Sequence, residues 1–384
     1  MPKPVARSLT ELAAEAAMFA FPMHGQHKLI SEGYRTRDGH FIEWFGRKLA
    51  ARGKVAVVSR PEPFVLDLLS KVDYAAVAQN TIPVRATSLR LPNVRDRRRW
   101  WIDSLSSYPR DLGADDTPAV VWNPLVALSR SRHSLFSARR PLVFDLLDDW
   151  TIHYAFVSIR KDVVRAYEEM FSRADYVTAN AEGTLELARR FGRDDCVLLP
   201  NGCDPQRFRK ESLASGPTTV GYVGKIGKRL NLELILKSAE RLPHVNFVFA
   251  GPILDAEYKA PLSAWPNVTL LGDVHYDRVP DLLQTFDVGW VPHNVGANEV
   301  GGDVIKTYEY RAAGLPVLTT PIAGVTARGL NGVTVLEWRS HLDWLADAAA
   351  SGPRIARIEG EIPLESTWEF KADRILELAS PKAK

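Results

Sequence analysis

The chain has 384 residues, of which 46% are hydrophobic and 25% charged, with two cysteines and three more Lys and Arg than Asp and Glu. Such a chain can bury a large core without metal or disulfide support, and its length predicts two domains or one very large one. The same figures exclude a disulfide-rich scaffold, a cysteine-built zinc or iron–sulfur centre, a collagen, a coiled coil and a wholly disordered chain.

In chain order, the N-terminal stretch has its only apolar run broken by Glu11 and Glu15, so no secretion signal is predicted. No run reaches about 18 uninterrupted apolar residues, so no membrane span is predicted. Cys196 and Cys203 are expected as free thiols in a cytoplasmic protein. Short apolar runs predict strands at 18–22, 55–59, 120–122, 142–146, 176–179 and 197–199. A helix is predicted over 41–51, with Asp38 as a cap before it and Gly53 as a stop after it. Strands are predicted again at 219–223, 246–250, 268–271, 288–291 and 317–319, with helices at 232–241, 278–285 and 304–313. A last helix is predicted over 366–378. This alternation predicts α/β architecture with parallel sheets, built as two doubly wound units. The linker is expected near 204–217, where Pro205, Ser215, Gly216 and Pro217 gather.

Two loops of the second half can hold chemistry. The segment FDVGWVPHNVGANEVGGDVIKTYEYRAAGLPVLTT (286–320) reads strand, glycine-containing loop, helix, strand. Asp303 is predicted to cap its helix. Lys306 stands in the first turn and Glu309 three residues on, on the same side. Free N–H groups at a helix start, beside a lysine, suit a phosphate. A carboxylate one turn deeper can accept two hydroxyl hydrogen bonds, as a ribose diol offers. The same residues equally suit a surface loop followed by an ordinary ion pair. The segment VGYVGKIGKRL (220–230) ends a strand in a glycine-rich turn with Lys225, Lys228 and Arg229. These cations repel one another unless an anion or carboxylates face them; a solvated turn is the other reading.

The first half is the basic half, with 29 Lys and Arg against 24 Asp and Glu in residues 1–200. Its run Arg90–Trp101 sets five arginines beside two tryptophans. That composition suits an anionic membrane surface, or a solvated face with the tryptophans in the core. No motif supports nucleic-acid binding. Asp145, Asp148 and Asp149 follow a predicted strand. Three readings stay open for them: a carboxylate metal site, acceptor binding or activation, and helix capping. His40 beside Gly39 is a candidate ligand contact; His153 and His293 are expected to be supporting residues.

The segments VGYVGKI, FVFAGP, NVTLLGDVHYDRVPDLLQTFDVGWVP and above all KTYEYRAAGLPVLTT resemble the donor-binding domain of GT-B glycosyltransferases, most like the retaining family 4 (group 1). RDGHFIEWFGRKLAARG, LVFDLLDDW, ADYVTANAEGTLELARRFG and LPNGCDPQRF add supporting likeness in the first half. The resemblance implies two Rossmann-like domains facing a central cleft: an acceptor domain over 1–205, a donor domain over 206–365 and a helix over 366–384 crossing back. It implies transfer of a sugar from a nucleotide-sugar to a hydroxyl of a glycan or lipid-linked acceptor, with retention and without metal or other cofactor. By position, Glu309 matches the second glutamate of the family's E-x7-E motif and implies ribose binding. Lys225 and Arg229 fall near the diphosphate-binding pair, and Val274 matches a backbone contact to the base. Gly224, Gly302, Asp303 and Lys306 would line the donor. Asp148 and Asp149 would serve catalysis, and Gly39 and His40 the acceptor side. The first glutamate of the motif would stand at 301, where this chain has Gly301, with Glu299 nearby. An epimerase of the same fold and a non-catalytic nucleotide-sugar binder are the alternative functions. No G-x-G-x-x-G with a distal acidic residue supports a dinucleotide oxidoreductase.

Overall fold

The computed structural model describes residues 15–380 apart from 31–32, 34–35, 70–72, 94, 297–301 and 323. It divides into two compact units, one of residues 1–200, 300–302 and 368–384, the other of 201–299 and 303–367. The division falls at Pro200–Asn201, ahead of the 204–217 stretch. Asn201 and Cys203 already bond within the second unit, to Asp303 and to the Ser366 carbonyl.

In the first unit, seven strands form one parallel sheet: β1 (Ala16–Phe21), β2 (Lys54–Val57), β3 (Thr81–Pro83), β4 (Ala119–Val121), β5 (Leu142–Leu146), β6 (Tyr176–Ala179) and β7 (Val197–Leu198). They run in the order β3-β2-β1-β4-β5-β6-β7. Among these seven, β3 escapes sequence prediction. It is a three-residue edge strand ending in Pro83, and proline is tolerated in a sheet mainly at such an edge. The core gathers Phe19, Phe21, Val121, Phe144 and Trp150 with the inner faces of the covering helices.

Helix α1 spans Arg37–Lys48 with Thr36 at its N-cap, so it begins four residues before the sequence reading and Asp38 does not cap it. The Asp38 carboxylate instead accepts the Met23 N–H at 2.9 Å and the Thr36 hydroxyl. Helices α2 (Arg160–Arg173) and α3 (Glu182–Arg190) follow, and α8 (Trp368–Leu378) closes the unit. Trp368 of α8 is fully buried, stacked on His40 with centroids 4.7 Å apart and edge-on to Phe41. Lys48 pairs with Glu369 and Asp373 along the same contact.

The second unit holds six parallel strands: β8 (Thr219–Val223), β9 (Asn246–Ala250), β10 (Val268–Gly272), β11 (Val288–Val291), β12 (Val317–Thr319) and β13 (Val333–Val335). Their order is β10-β9-β8-β11-β12-β13. Counted from β8, this is the 3-2-1-4-5-6 order of a dinucleotide-binding sheet. Its switch point lies between β8 and β11, where ligands bind beyond the strand carboxyl ends. The helices are α4 (Leu232–Arg241), α5 (Val279–Gln284), α6 (Ile305–Ala312) and α7 (His341–Ala350). The Asn231 side chain caps α4 by accepting the Leu234 N–H at 3.0 Å, and Leu234, Ile235 and Ala239 turn its apolar stripe inward. One hydrophobic cluster collects Phe247, Phe249 and Trp290, and another collects Phe286, Tyr308, Tyr310 and Leu315.

Candidate functional site

The loops after β8 and β11 are stitched together at the switch point. The Asn294 N–H donates to the Arg229 carbonyl at 2.8 Å, and the Asn294 amide donates to the Lys228 and Leu230 carbonyls at 3.0 Å each. The Asn231 N–H reaches the Pro292 carbonyl at 2.8 Å. The Tyr222 hydroxyl donates to the Lys225 carbonyl at 3.1 Å, which folds the turn back on its own strand. The sequence reading that both loops serve one face therefore holds.

Helix α6 is brought to this lip by two glycines. Gly221 of β8 and Gly289 of β11 are register neighbours. A methyl group on Gly289 would enter the Tyr310 ring, and one on Gly221 would enter the Phe286 ring. The bare strand lets Tyr310 lie flat on the sheet, where its hydroxyl oxygen accepts the Val223 N–H at 2.7 Å. That bond ties α6 to the end of β8 and sets Lys306 against Gly224. Gly224 has a φ of 144°, and a Cβ there would stand 3.0 Å from Lys306 Cε and 3.1 Å from its Nζ. The ammonium lies 5.1 Å from the centre of the Tyr222 ring, a cation–π arrangement.

Charge is concentrated at this point. Burial, then Arg229 and Lys225, push the Lys306 ammonium down to about 8, against the pull of Glu309. His293, 7% exposed and with Nε2 at 3.4 Å from the Tyr222 hydroxyl, is held well below its usual value by burial, Lys306 and Arg229. It is a neutral imidazole at pH 7. Glu309 is also 7% exposed, and burial raises its carboxyl to about 7. The Tyr276 hydroxyl, donating to Oε1 at 2.9 Å, and Lys306 oppose that rise. The site thus joins a cluster of cations to one buried carboxylate a helical turn deeper. Lys225 is exposed, Arg229 half-buried, and Val274 packs at the margin of the Phe286 cluster. Sequence reasoning did not find Tyr276, Tyr222 or Tyr310, because the residues beside a tyrosine do not show which distant group its hydroxyl will meet. Tyr276 also walls a pocket of 240 Å³ together with Arg207, Arg209, Asp281 and Gln284.

Other candidates have different surroundings. Asp303 is not the helix cap; Val304 is. The Asp303 carboxylate accepts the Asn201 N–H and the Tyr308 hydroxyl, both at 2.8 Å, and the Val304 N–H at 3.0 Å. It anchors the start of α6 rather than reaching toward a sugar. Glu299 and Gly301 lie outside the described residues. Gly302 clusters with the first unit, where a Cβ on it would meet the Asp148 carboxylate.

Asp145 is fully buried, gripped by Arg37 through bonds of 2.7 and 2.9 Å and by Trp122 Nε1 and Thr178 Oγ1. Asp149 is 3% exposed; one oxygen accepts the Thr151 N–H and hydroxyl and the other pairs with Arg190. Its carboxylate is engaged in a turn and an ion pair. Asp148 is half-buried. Gly39 and His40 are buried inside α1, with His40 stacked on Trp368. Trp100 and Trp101 belong to the core: Trp101 meets Trp150 and Phe156 edge-on, with Arg98 over both Trp101 and Phe156. Among the described residues no three His, Cys, Asp or Glu side chains group so as to hold a metal ion. No helix among them is long and apolar enough to cross a membrane.

Residues 217–351, which contain the whole lip and helix α6, match the family described as Glycosyl transferases group 1. Anabaena HepE, crystallised with UDP-glucose, superposes with a TM-score of 0.60 at 16% identity, covering 94% of this chain and 97% of that one. A glycosyltransferase from Rickettsia africae gives 0.56 at 13%, covering 95% and 94%. The architecture is that of the GT-B glycosyltransferases, two Rossmann-like domains, and the second carries a group 1 glycosyl transferase domain. Among curated proteins, TuaH of Bacillus subtilis (strain 168), whose name assigns it to teichuronic acid biosynthesis, is 23% identical over 199 residues, covering 47% of this chain. The match spans 50% of that relative's length.

Proposed function

We propose that this chain is a glycosyltransferase that moves a sugar from a nucleotide-sugar to a hydroxyl of a glycan or lipid-linked acceptor, in surface polysaccharide or glycolipid assembly. The observation that carries this reading is the meeting of Lys306, Arg229 and Lys225 at the Gly224 lip, with Glu309 one turn deeper. Glycosyl transfer breaks the anomeric C–O bond and leaves both electrons on a diphosphate. Cations already in place stabilise that charge with little reorganisation, so the chain itself supplies what a metal would otherwise provide. Glu309 accepts the ribose hydroxyls, and the Val274 backbone meets the base. With retention, the acceptor oxygen bonds to the anomeric carbon on the face the diphosphate leaves, and its proton passes to the departing phosphate oxygen. Asp148, near Gly302, is the acceptor-side carboxylate of this reading. A group 1 domain over 217–351, the UDP-glucose held by the similar HepE fold and the name of TuaH support it.

The protein acts at the cytoplasmic face of a membrane in this reading, docked through the exposed part of Arg90–Trp101. Leu89 and Leu91 are 80% and 70% exposed there, among the exposed Arg90, Arg95, Arg97 and Arg99.

A thermal-shift screen with UDP-, GDP-, dTDP- and ADP-linked sugars should give a clear rise in melting temperature with at least one donor. A flat response to all four overturns the proposal. An isomerised sugar nucleotide formed without acceptor would instead establish the epimerase. Donor binding with no turnover on any glycan or lipid-linked acceptor would establish the non-catalytic binder.

A further inference from the structure

Tyr276 lies within the NVTLLGDVHY segment but has no role assigned there, yet it holds the carboxylate on which the proposed ribose recognition rests. It lies in the short turn Tyr276–Arg278 between β10 and α5, 7% exposed, with the Arg207 guanidinium 5.7 Å from its ring centre. Its hydroxyl donates to Glu309 Oε1 at 2.9 Å.

We propose that Tyr276 is the positioning residue of Glu309: its hydroxyl, by donating to Oε1, sets the orientation of the carboxylate and favours the acceptor form that a ribose diol requires. This rests on the donor reading above and adds to it a pH gate on nucleotide binding.

The groups that act on Glu309 come from three places. Lys306 is on its own helix, Tyr276 comes from the turn before α5, and Asp204 and Arg207 come from the turn at 204–207. Burial, then Glu309 and Asp204, push the Cys203 thiol well up, so it stays neutral and adds no charge. Asp204 and Arg207 are paired at 3.0 Å and act on Glu309 in opposite directions. Lys306 and the Tyr276 hydroxyl both favour the ionised carboxylate against its burial. A hydrogen bond donated to the charged form favours that form. A protonated Glu309 would put a donor where two ribose hydroxyls need an acceptor. Tyr276→Phe keeps the ring and the packing and removes only the bond, so the acid must ionise at higher pH.

The test is calorimetric binding of UDP, GDP, dTDP and ADP between pH 5.5 and 8 to the wild type, Tyr276→Phe and Glu309→Gln. The nucleotide that binds the wild type should lose affinity as pH falls through about 7. In Tyr276→Phe that fall should move up by about 0.5–1 pH unit. The variant should then bind several-fold more weakly at pH 6.5, and within about twofold of the wild type at pH 8. Glu309→Gln should bind weakly with no acid limb. A Tyr276→Phe curve superimposable on the wild type overturns the proposal, as does an equal loss of affinity at every pH, which is the mark of a structural tyrosine. Both outcomes leave the donor reading standing. Failure of the wild type to bind any of the four nucleotides overturns the donor reading and the role of Tyr276 with it.

Discussion

Lys306 is where the energetics of the site are most exposed to experiment. Its ammonium is held down to about 8 by burial and by two neighbouring cations. The ligand-free protein therefore bears a cost that a bound diphosphate would remove. Lys306→Met should raise the melting temperature of the free protein and lower diphosphate affinity at least tenfold. A drop in melting temperature with unchanged affinity would make Lys306 structural. The titration signs agree. Lys306 is charged below about 8 and Glu309 above about 7, so affinity for the nucleoside diphosphate should peak between those values and fall on both sides. Lys306→Met should abolish the alkaline limb while keeping the acid one. Much of this residue set was legible in the chain: Gly224, Lys225, Arg229, Lys306 and Glu309 meet as the strand–glycine–helix pattern predicts. The partners of Asp149 and His40 were not legible in the same way. An aspartate after a strand and a histidine in a helix look alike whether solvent or Arg190, Thr151 and Trp368 lie beside them.

Elements carry the site through backbone closeness that only glycine permits. Strands β8 and β11 are bare at Gly221 and Gly289, so Phe286 and Tyr310 lie directly on the sheet. Gly289→Ala should push Tyr310 away, break its bond to the Val223 N–H and displace α6 from the lip. Overpacking of this kind costs about 1–3 kcal/mol. The expected result is a lower melting temperature together with weaker nucleotide binding. A stable variant with normal affinity would show that α6 is held by other contacts. The strand and helix order needed no coordinates, since most predicted elements stand within two residues of their observed bounds. Strands β3 and β13, helices α2, α3 and α7 and the early start of α1 did need them. Of these, β3 and the α1 start have a plain reason. The first is a short proline-ended edge, and the second depends on Asp38 turning to the Met23 N–H instead of capping.

For the molecule as a whole, surface composition decides where it can work. The basic run contributes arginines and leucines to the surface and its tryptophans to the core, so any membrane affinity must come from Leu89, Leu91 and the exposed arginines. Near an anionic surface each Lys or Arg contributes about 1 kcal/mol. Changing Arg95, Arg97 and Arg99 together to Ser should cut sedimentation with phosphatidylserine-containing vesicles by at least tenfold and leave sugar-nucleotide binding intact. Equal sedimentation of variant and wild type would mark the run as a solvated face. Arg98 is left out because it lies over Trp101 and Phe156.

The chain by itself determined the α/β rhythm, the two doubly wound units and the pairing of a cation with a carboxylate on one helix face. Period and glycine spacing are local properties, written within a dozen residues, whereas neither predicted cap, Asp38 or Asp303, caps its helix. Tertiary structure alone decided which charged groups are spent inside the fold and which remain for a ligand. It set Arg37 on Asp145, Arg190 on Asp149 and Tyr276 on Glu309 across 108, 41 and 33 positions of chain. Burial and partnership at such separations arise only when distant strands and helices pack, and those two quantities determine whether a carboxylate is structural or functional.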